Sequence, residues 1–372
     1  MSVPLAIAAL ALLSVCLSVY AIWRDKPLEW RFSEARPVAS AGKPVFETVL
    51  DYTAPAGQAH APAIVTGDDG FSVIWFQGSA EAQPDVDIFA VKFTPDGDDW
   101  RASDPARYVT RSGLGKVFEP KQLVVTLGNT IQNEAAEGHL YSTAVSVGGW
   151  AMASVADVTM GKEGPVWARK LNLSPLLNRS HLVKSPMIKY ADGSHALPAY
   201  FEMGPTFAEL VRLGPNGRVR DVRRMPSKGV KAIQPMIVPL DEHRAVAFLR
   251  DFDRSGKLWI SHTSDGGQSW SPVTATDMRN PSAPVAALHL GGERIMMVAN
   301  DDPEGSDALR LLLSGDGGAS WHPFRDLEPG SAGARYPMLR RLDTGEIVLT
   351  YSHGQKRGVR AHVFNDAWLE VA

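Results

Sequence analysis

Asp85 and Asp87 stand two residues apart in Asp85-Val86-Asp87-Ile88. On an extended strand such a pair faces one side, where two carboxylates can divide the work of general acid and general base or simply line a solvated face. Gln77, Asn129, Asn300, Arg340, His353 and Arg360 fall at or near the ends of apolar runs. Amides and cations so placed suit a hydroxyl-rich ligand, and Trp75 offers a flat face for a sugar ring. Other chemistries leave no mark. The ten histidines show no metal-ligand spacing, and neither a phosphate-cradling glycine loop nor a Gly-x-Ser-x-Gly elbow occurs. No metal and no cofactor is implied. The net charge of −3, with basic residues scattered along the chain, lacks the footprint of a nucleic-acid binder.

The elements that must position these residues are strands. Of 372 residues 44% are hydrophobic and 21% charged, and 33 Gly with 26 Pro favour turn-rich β structure over long helices. One unit recurs: a short apolar strand, a tight turn on Gly or Asp, a second apolar strand. The turns are Gly67-Asp68-Asp69-Gly70, Glu137-Gly138, Asp192-Gly193, Asp241-Glu242, Gly291-Gly292 and Asp343-Thr344-Gly345. The strands that follow them include Phe71–Phe76, Ala245–Leu249, Ile295–Val298 and Ile347–Tyr351. The last four turns recur about every 50 residues, a period of radial or stacked repeats, for which the all-β solution is a propeller. Six turns imply six blades. The wider gap between the first two leaves room for an insertion or a missed turn. The only cysteine, Cys16, lies outside this region, so core packing and strand pairing must hold the domain without a disulfide.

Two loops carry a finer signal. Thr263-Ser264-Asp265-Gly266-Gly267-Gln268-Ser269-Trp270 and Ser314-Gly315-Asp316-Gly317-Gly318-Ala319-Ser320-Trp321 share one spacing of hydroxyl, Asp, Gly and Trp. Asp and Ser/Thr side chains can satisfy the loop backbone, Gly takes positive φ, and Trp plugs the turn from beneath. Thr94-Pro95-Asp96-Gly97-Asp98-Asp99-Trp100 reads as a decayed copy. These are Asp-boxes, and they speak for the fold rather than for the chemistry.

With these loops, and with His60-Ala61-Pro62, Trp75-Phe76-Gln77-Gly78, Leu197-Pro198-Ala199-Tyr200, Gln234-Pro235, Asn280-Pro281, Tyr336-Pro337 and Ala367-Trp368-Leu369, residues 55 to 370 resemble the sialidase-like superfamily, in its bacterial and plant branch. The resemblance implies a six-bladed propeller. It also implies where to look for a sialidase's three carboxylate-gripping arginines, tyrosine nucleophile, polarising glutamate and aspartic acid/base. Asp85 matches the acid/base, Arg250 the second arginine and Tyr336 the nucleophile. His60 stands in place of the first arginine and Gln234 in place of the glutamate. The third arginine belongs near Ser306, and Arg310 is displaced from that place.

One arginine and a histidine cannot rebuild a bidentate carboxylate clamp, so the expected substrate is not sialic acid. Tyr336 needs a base beside it. Gln234 is neutral, and Glu202 is the best substitute; otherwise Tyr336 is a buried tyrosine near the axis. His60 near a Tyr and an Arg also suits proton abstraction from a uronic acid. The expected site is therefore catalytic Asp85, Tyr336, Glu202 and His60, with Arg250, Gln234, Gln77, Asn129, Asn300 and Arg360 binding a glycan. The reading that follows is an exported, sialidase-like glycoside hydrolase of altered substrate. A non-catalytic glycan-binding scaffold of the cell envelope and a uronic-acid lyase are the alternatives.

Val3 to Trp23 carries no charge, and 21 helical residues span about 30 Å, a bilayer core. Residues 1–26 therefore read as an uncleaved anchor, with a cleaved signal as the rival. Residues 27–45 read as a tether with its lead-in strand, and 46–372 as the propeller. The globular part is expected outside the cytoplasm, periplasmic or extracellular. Arg24, Lys26 and Arg31 after the apolar run pull the other way under the positive-inside tendency, which long following domains override.

Overall fold

The structure, a computed structural model, describes residues 3–24, 27–33, 42–97, 99–174, 178–301 and 308–371. Asp98 of the decayed box, the stretch 34–41 of the tether, and Ser306 lie outside the described residues.

Six antiparallel sheets are arranged as blades. Their inner strands are Gln58–Gly67, Thr126–Gln132, His181–Val183 with the short Ile188–Lys189, Ala232–Pro239, Ala286–Gly291 and Arg335–Arg341. Each is followed by a second strand: Gly70–Gly78, His139–Val145, His195–Phe201, Ala245–Asp251, Arg294–Ala299 and Ile347–His353. All six turns read from the sequence join an inner strand to its second strand, which is why counting them counts the blades.

The ring closes with strands from both ends of the chain. Phe46–Thr53 forms the outer strand of blade 6, pairing Phe46 with Phe364 and Thr53 with Gly358. A propeller closed this way ties its termini together through a shared ladder, which substitutes for the missing disulfide. The long first gap is an insertion: blade 1 adds Ala106–Val109, and the helix α2 (Arg111–Val117) follows, capped by Thr110 Oγ1 accepting from Gly113 N at 3.0 Å. The helix α1 (Val3–Arg24) contains the apolar span Val3–Trp23, of mean hydropathy 2.5, with none of it buried against the blades.

The two Asp-boxes join the third and outer strands of blades 4 and 5. In blade 4, Asp265 Oδ1 accepts from Thr263 Oγ1 at 2.8 Å and from Ser269 N at 2.9 Å. Blade 5 repeats this with Ser314 Oγ at 2.8 Å and Ser320 N at 2.9 Å on Asp316 Oδ1. The Ser320 hydroxyl, donating to Asp316 Oδ2 at 2.6 Å, and then these donors hold Asp316 down at about 2. Trp270 packs with Leu210 and Tyr190 of blade 3, and Trp321 sits edge-on to Phe248 of blade 4 at 5.6 Å. Each box tryptophan thus wedges its blade against the preceding one.

Candidate functional site

Four inner strands break their pairing near their starts, that of blade 2 between Leu127 and Thr130 and three others at an X-Pro step. In those three the register shifts between His60 and Ala63, between Ile233 and Met236, and between Arg335 and Met338. At each bulge one residue ahead of a proline takes a left-handed backbone: Ala61 (φ 51°), Gln234 (φ 51°) and Tyr336 (φ 59°). A non-glycine residue held there costs about 1–3 kcal/mol, and a bulge re-aims the side chain it carries. Gln234 and Tyr336 are thereby turned into a cavity of about 190 Å³ on the axis.

That cavity is lined by His60, Phe76, Glu81, Asn129, Trp150, Leu182, Tyr200, Glu202, Gln234, Arg250, Phe252 and Tyr336. Arg250, near the end of the blade 4 second strand, organises it. Its Nη1 donates to Gln234 Oε1 and to the Tyr336 hydroxyl oxygen, both at 3.1 Å, and its Nε and Nη2 donate to Ser282 Oγ at 3.3 Å. Gln234 Nε2 in turn donates to the Tyr200 hydroxyl oxygen at 3.2 Å. Because Tyr336 accepts from the guanidinium, its own O–H is left to donate into the cavity.

The His60 ring lies edge-on to Tyr336, centroids 4.5 Å apart, and to Phe76 at 5.4 Å. It is 1% exposed, and neither ring nitrogen finds a partner among the described residues. Burial first, then the cations Lys356, Arg250, Lys184 and Arg335, push it well below the usual histidine range. It is a neutral ring at physiological pH. Behind Tyr336, the buried Lys184 donates from Nζ to Pro337 O at 2.9 Å, and burial brings its ammonium down to about 7.

Glu202 follows the blade 3 second strand. Burial raises its carboxyl, Arg250 opposes the rise and Glu81 adds to it. Glu81 is held by Lys356 at 2.7 Å. The cavity therefore holds one carboxylate tied to a cation and one that keeps its proton more readily, an arrangement that separates acid from base.

Six of the ten residues expected from the sequence meet here: His60, Asn129, Glu202, Gln234, Arg250 and Tyr336. Four lie elsewhere. Asp85 is exposed in the loop before Asp87–Asp96, its carboxylate accepting from Ser79 N and Ser79 Oγ at 2.9 Å. Those bonds lower its carboxyl. Asp87 accepts instead from Arg107 Nε at 3.0 Å and Arg111 N at 2.8 Å. The strand starts only at Asp87, so the period-two rule never reached Asp85 and the two carboxylates do not pair. Gln77 accepts from Tyr52 and Trp75 inside the sheet, Asn300 is buried and donates to Ala334 O at 2.9 Å, and Arg360 pairs with Asp51 and Glu328 on the outer strands. Arg310 pairs with Asp326 at 2.7 Å, again within its own blade.

Sequence reasoning passed over Glu81, which reaches the cavity from a loop, Trp150, which reaches it from the short 3-10 helix Gly149–Met152, and Tyr200, which stood within a noted landmark. Among the described residues no three His, Cys, Asp or Glu are grouped to hold a metal.

A family model described as BNR repeat-like domain matches residues 69–352. A sialidase of Micromonospora viridifaciens is 30% identical over 159 residues, covering 38% of this chain and 23% of that protein. The chain thus matches less than a quarter of that relative's length. Among solved structures, the Hadza microbial sialidase Hz136 aligns with a TM-score of 0.64 at 14% identity, over 84% of this chain and 68% of the other. A protein of unknown function from Dyadobacter fermentans aligns at 0.62 with 13% identity, over 86% and 99%. The sialidase of Trypanosoma rangeli in complex with sialic acid aligns at 0.57 with 12% identity, over 88% and 60%. At such identities the structural likeness speaks for the six-bladed fold.

Proposed function

The chain belongs to the BNR repeat-like domain family, within the sialidase-like superfamily, and from that premise we propose that it is a carbohydrate-active protein whose axial cavity hydrolyses a glycoside other than a sialoside. The supporting observation is the occupied guanidinium: Arg250 already donates to Tyr336, Gln234 and Ser282, while the partner at the first arginine's place is the neutral, buried His60. A substrate carboxylate would find no free bidentate clamp there. A neutral sugar would find hydroxyl and amide partners and the Phe76 and Trp150 rings.

In this reading Glu202, whose carboxyl burial raises above the usual glutamate range, gives its proton to the departing glycosidic oxygen. As that bond breaks, a water adds to the sugar carbon beside Tyr336, which Arg250 orients, and gives its proton to the Glu81 carboxylate that Lys356 holds. A lyase reading draws on His60 lying against Tyr336. It is weakened by the same engagement of Arg250, whose cation a uronate would need. A purely binding propeller would use the same cavity without turnover.

The helix α1 serves in this reading as a membrane anchor, residues 27–45 as its tether and 46–372 as the extracytoplasmic propeller. Its support is a charge-free span of 21 residues with nothing of it buried. The test is turnover by the detergent-solubilised full chain on neutral and acidic aryl glycosides. Hydrolysis of a neutral glycoside, with Glu202→Gln at least about a hundredfold slower and equal in melting temperature, is expected. Cleavage confined to sialosides, or a Glu202→Gln variant as fast as wild type, would reject it.

A further inference from the structure

Residues 29–32, beyond α1, are held against the propeller. Phe32 is fully buried, bridges to Tyr190 and donates its backbone N–H to Glu242 O at 2.7 Å. The Trp30 ring lies 4.8 Å from the guanidinium carbon of Arg212, a side chain with no exposed surface that also donates to Glu29 O at 3.1 Å. A side chain at Gly266 would collide with Trp30 O at 2.0 Å, so the strap rests directly on the blade 4 Asp-box.

Every one of these contacts lies on one face. Inner and third strands run in the same direction, so the turns that end them, Asp192-Gly193, Asp241-Glu242 and the Asp-boxes, share the face opposite the cavity, which sits where inner strands begin and second strands end. The chain also enters blade 6 from that face: Asn365 holds Lys43 O at 2.8 Å and Val45 N at 3.1 Å, beside the pair Phe46–Phe364.

From this we infer that the strap mounts the propeller with its turn face toward the bilayer and its cavity facing away, so that the site takes water-exposed glycan ends and not sugar headgroups of lipids in the same leaflet. This rests on the reading of α1 as a retained anchor. Five peptide steps separate Arg24 from Glu29, a reach of at most about 17 Å. A second strand such as Gly70–Gly78, of nine residues, is about 30 Å long. The reach is too short to turn the far face down.

The experiment uses the full chain in phosphatidylcholine vesicles with a Cys16→Ser background. A dye is placed by Asp343→Cys or by Gln355→Cys, exposed positions beyond opposite ends of the strand Ile347–His353. Energy transfer to a short-range acceptor on the lipid headgroups should be roughly twofold or more stronger from position 343, given a strand length of about 23 Å. Equal or reversed transfer in protein that floats with the vesicles overturns the orientation. Protein that does not float overturns the anchor reading beneath it. Trp30→Ala with Phe32→Ala, checked for folding by its melting curve, should shrink the difference between the two positions; an unchanged difference would refute the strap as its cause.

Discussion

Acid should loosen the closing blade through a single ring. His362 lies between the last strand and the first: its Nδ1 is 3.0 Å from Thr48 Oγ1 and its Nε2 is 2.9 Å from the Tyr351 hydroxyl, which donates to Glu328 at 2.9 Å. The ring stacks on Phe46 at 4.9 Å and the residue is 5% exposed. Burial, aided by Arg360 and Arg325, lowers it to about 4, against about 6.5 in an unfolded chain. The folded state thus prefers the neutral ring. Its contribution is fully present above about pH 6.5 and is lost as pH falls toward 4, because only the unfolded chain takes up the proton in that window. The slope reaches about 1.4 kcal/mol per pH unit only between the two values, so moving from pH 6.5 to 4.5 costs about 2 kcal/mol. Urea unfolding of wild type and His362→Gln at pH 7 and pH 4.5 isolates this, since other groups contribute to both. Wild type should lose about 2 kcal/mol more than the variant between the two conditions. Equal losses would refute the assignment of a neutral, proton-excluding ring.

Asp265→Ala should cost about 1–2 kcal/mol by removing the acceptor of the blade 4 box and leave glycan turnover unchanged, since the box lies on the far face; chemical denaturation beside an activity assay checks both halves. Phe32→Ala should destabilise by about 3 kcal/mol, the penalty of emptying a fully buried aromatic site, and differential scanning calorimetry reads it. Activity should fall on the alkaline side as Glu202, raised above the usual glutamate range by burial, loses its proton. That limb should vanish in Glu202→Gln and persist in Asp85→Asn if Glu202 is the acid, which pH profiles of kcat decide.

Most of the architecture was legible because propeller turns are local. Gly67–Gly70 and Asp343–Gly345 need only neighbouring residues to turn, and each Asp-box closes on its own Asp and hydroxyl. The part of the site on inner strands was found through the resemblance, by Gln234-Pro235 and Tyr336-Pro337; that each of these steps holds a bulge with a left-handed residue is visible only in the fold. What escaped depends on distant partners. Gln77, Asn300 and Arg360 have the right polarity at strand ends, yet Tyr52, Ala334, Asp51 and Glu328 occupy them within the blades. Glu81 reaches the cavity because Lys356, on the last blade, holds it there, a contact between the ends of the chain that no spacing reveals. Asp85 lost its place by two residues, the distance from loop to strand.

The account stands on the axial cavity being a sugar site organised by Arg250. Isothermal titration of a neutral glycan panel into the full-length protein and its Arg250→Met variant tests this. Saturable binding by wild type, abolished in a variant that melts at the same temperature, is the predicted result; glycan binding that survives intact in Arg250→Met would contradict it.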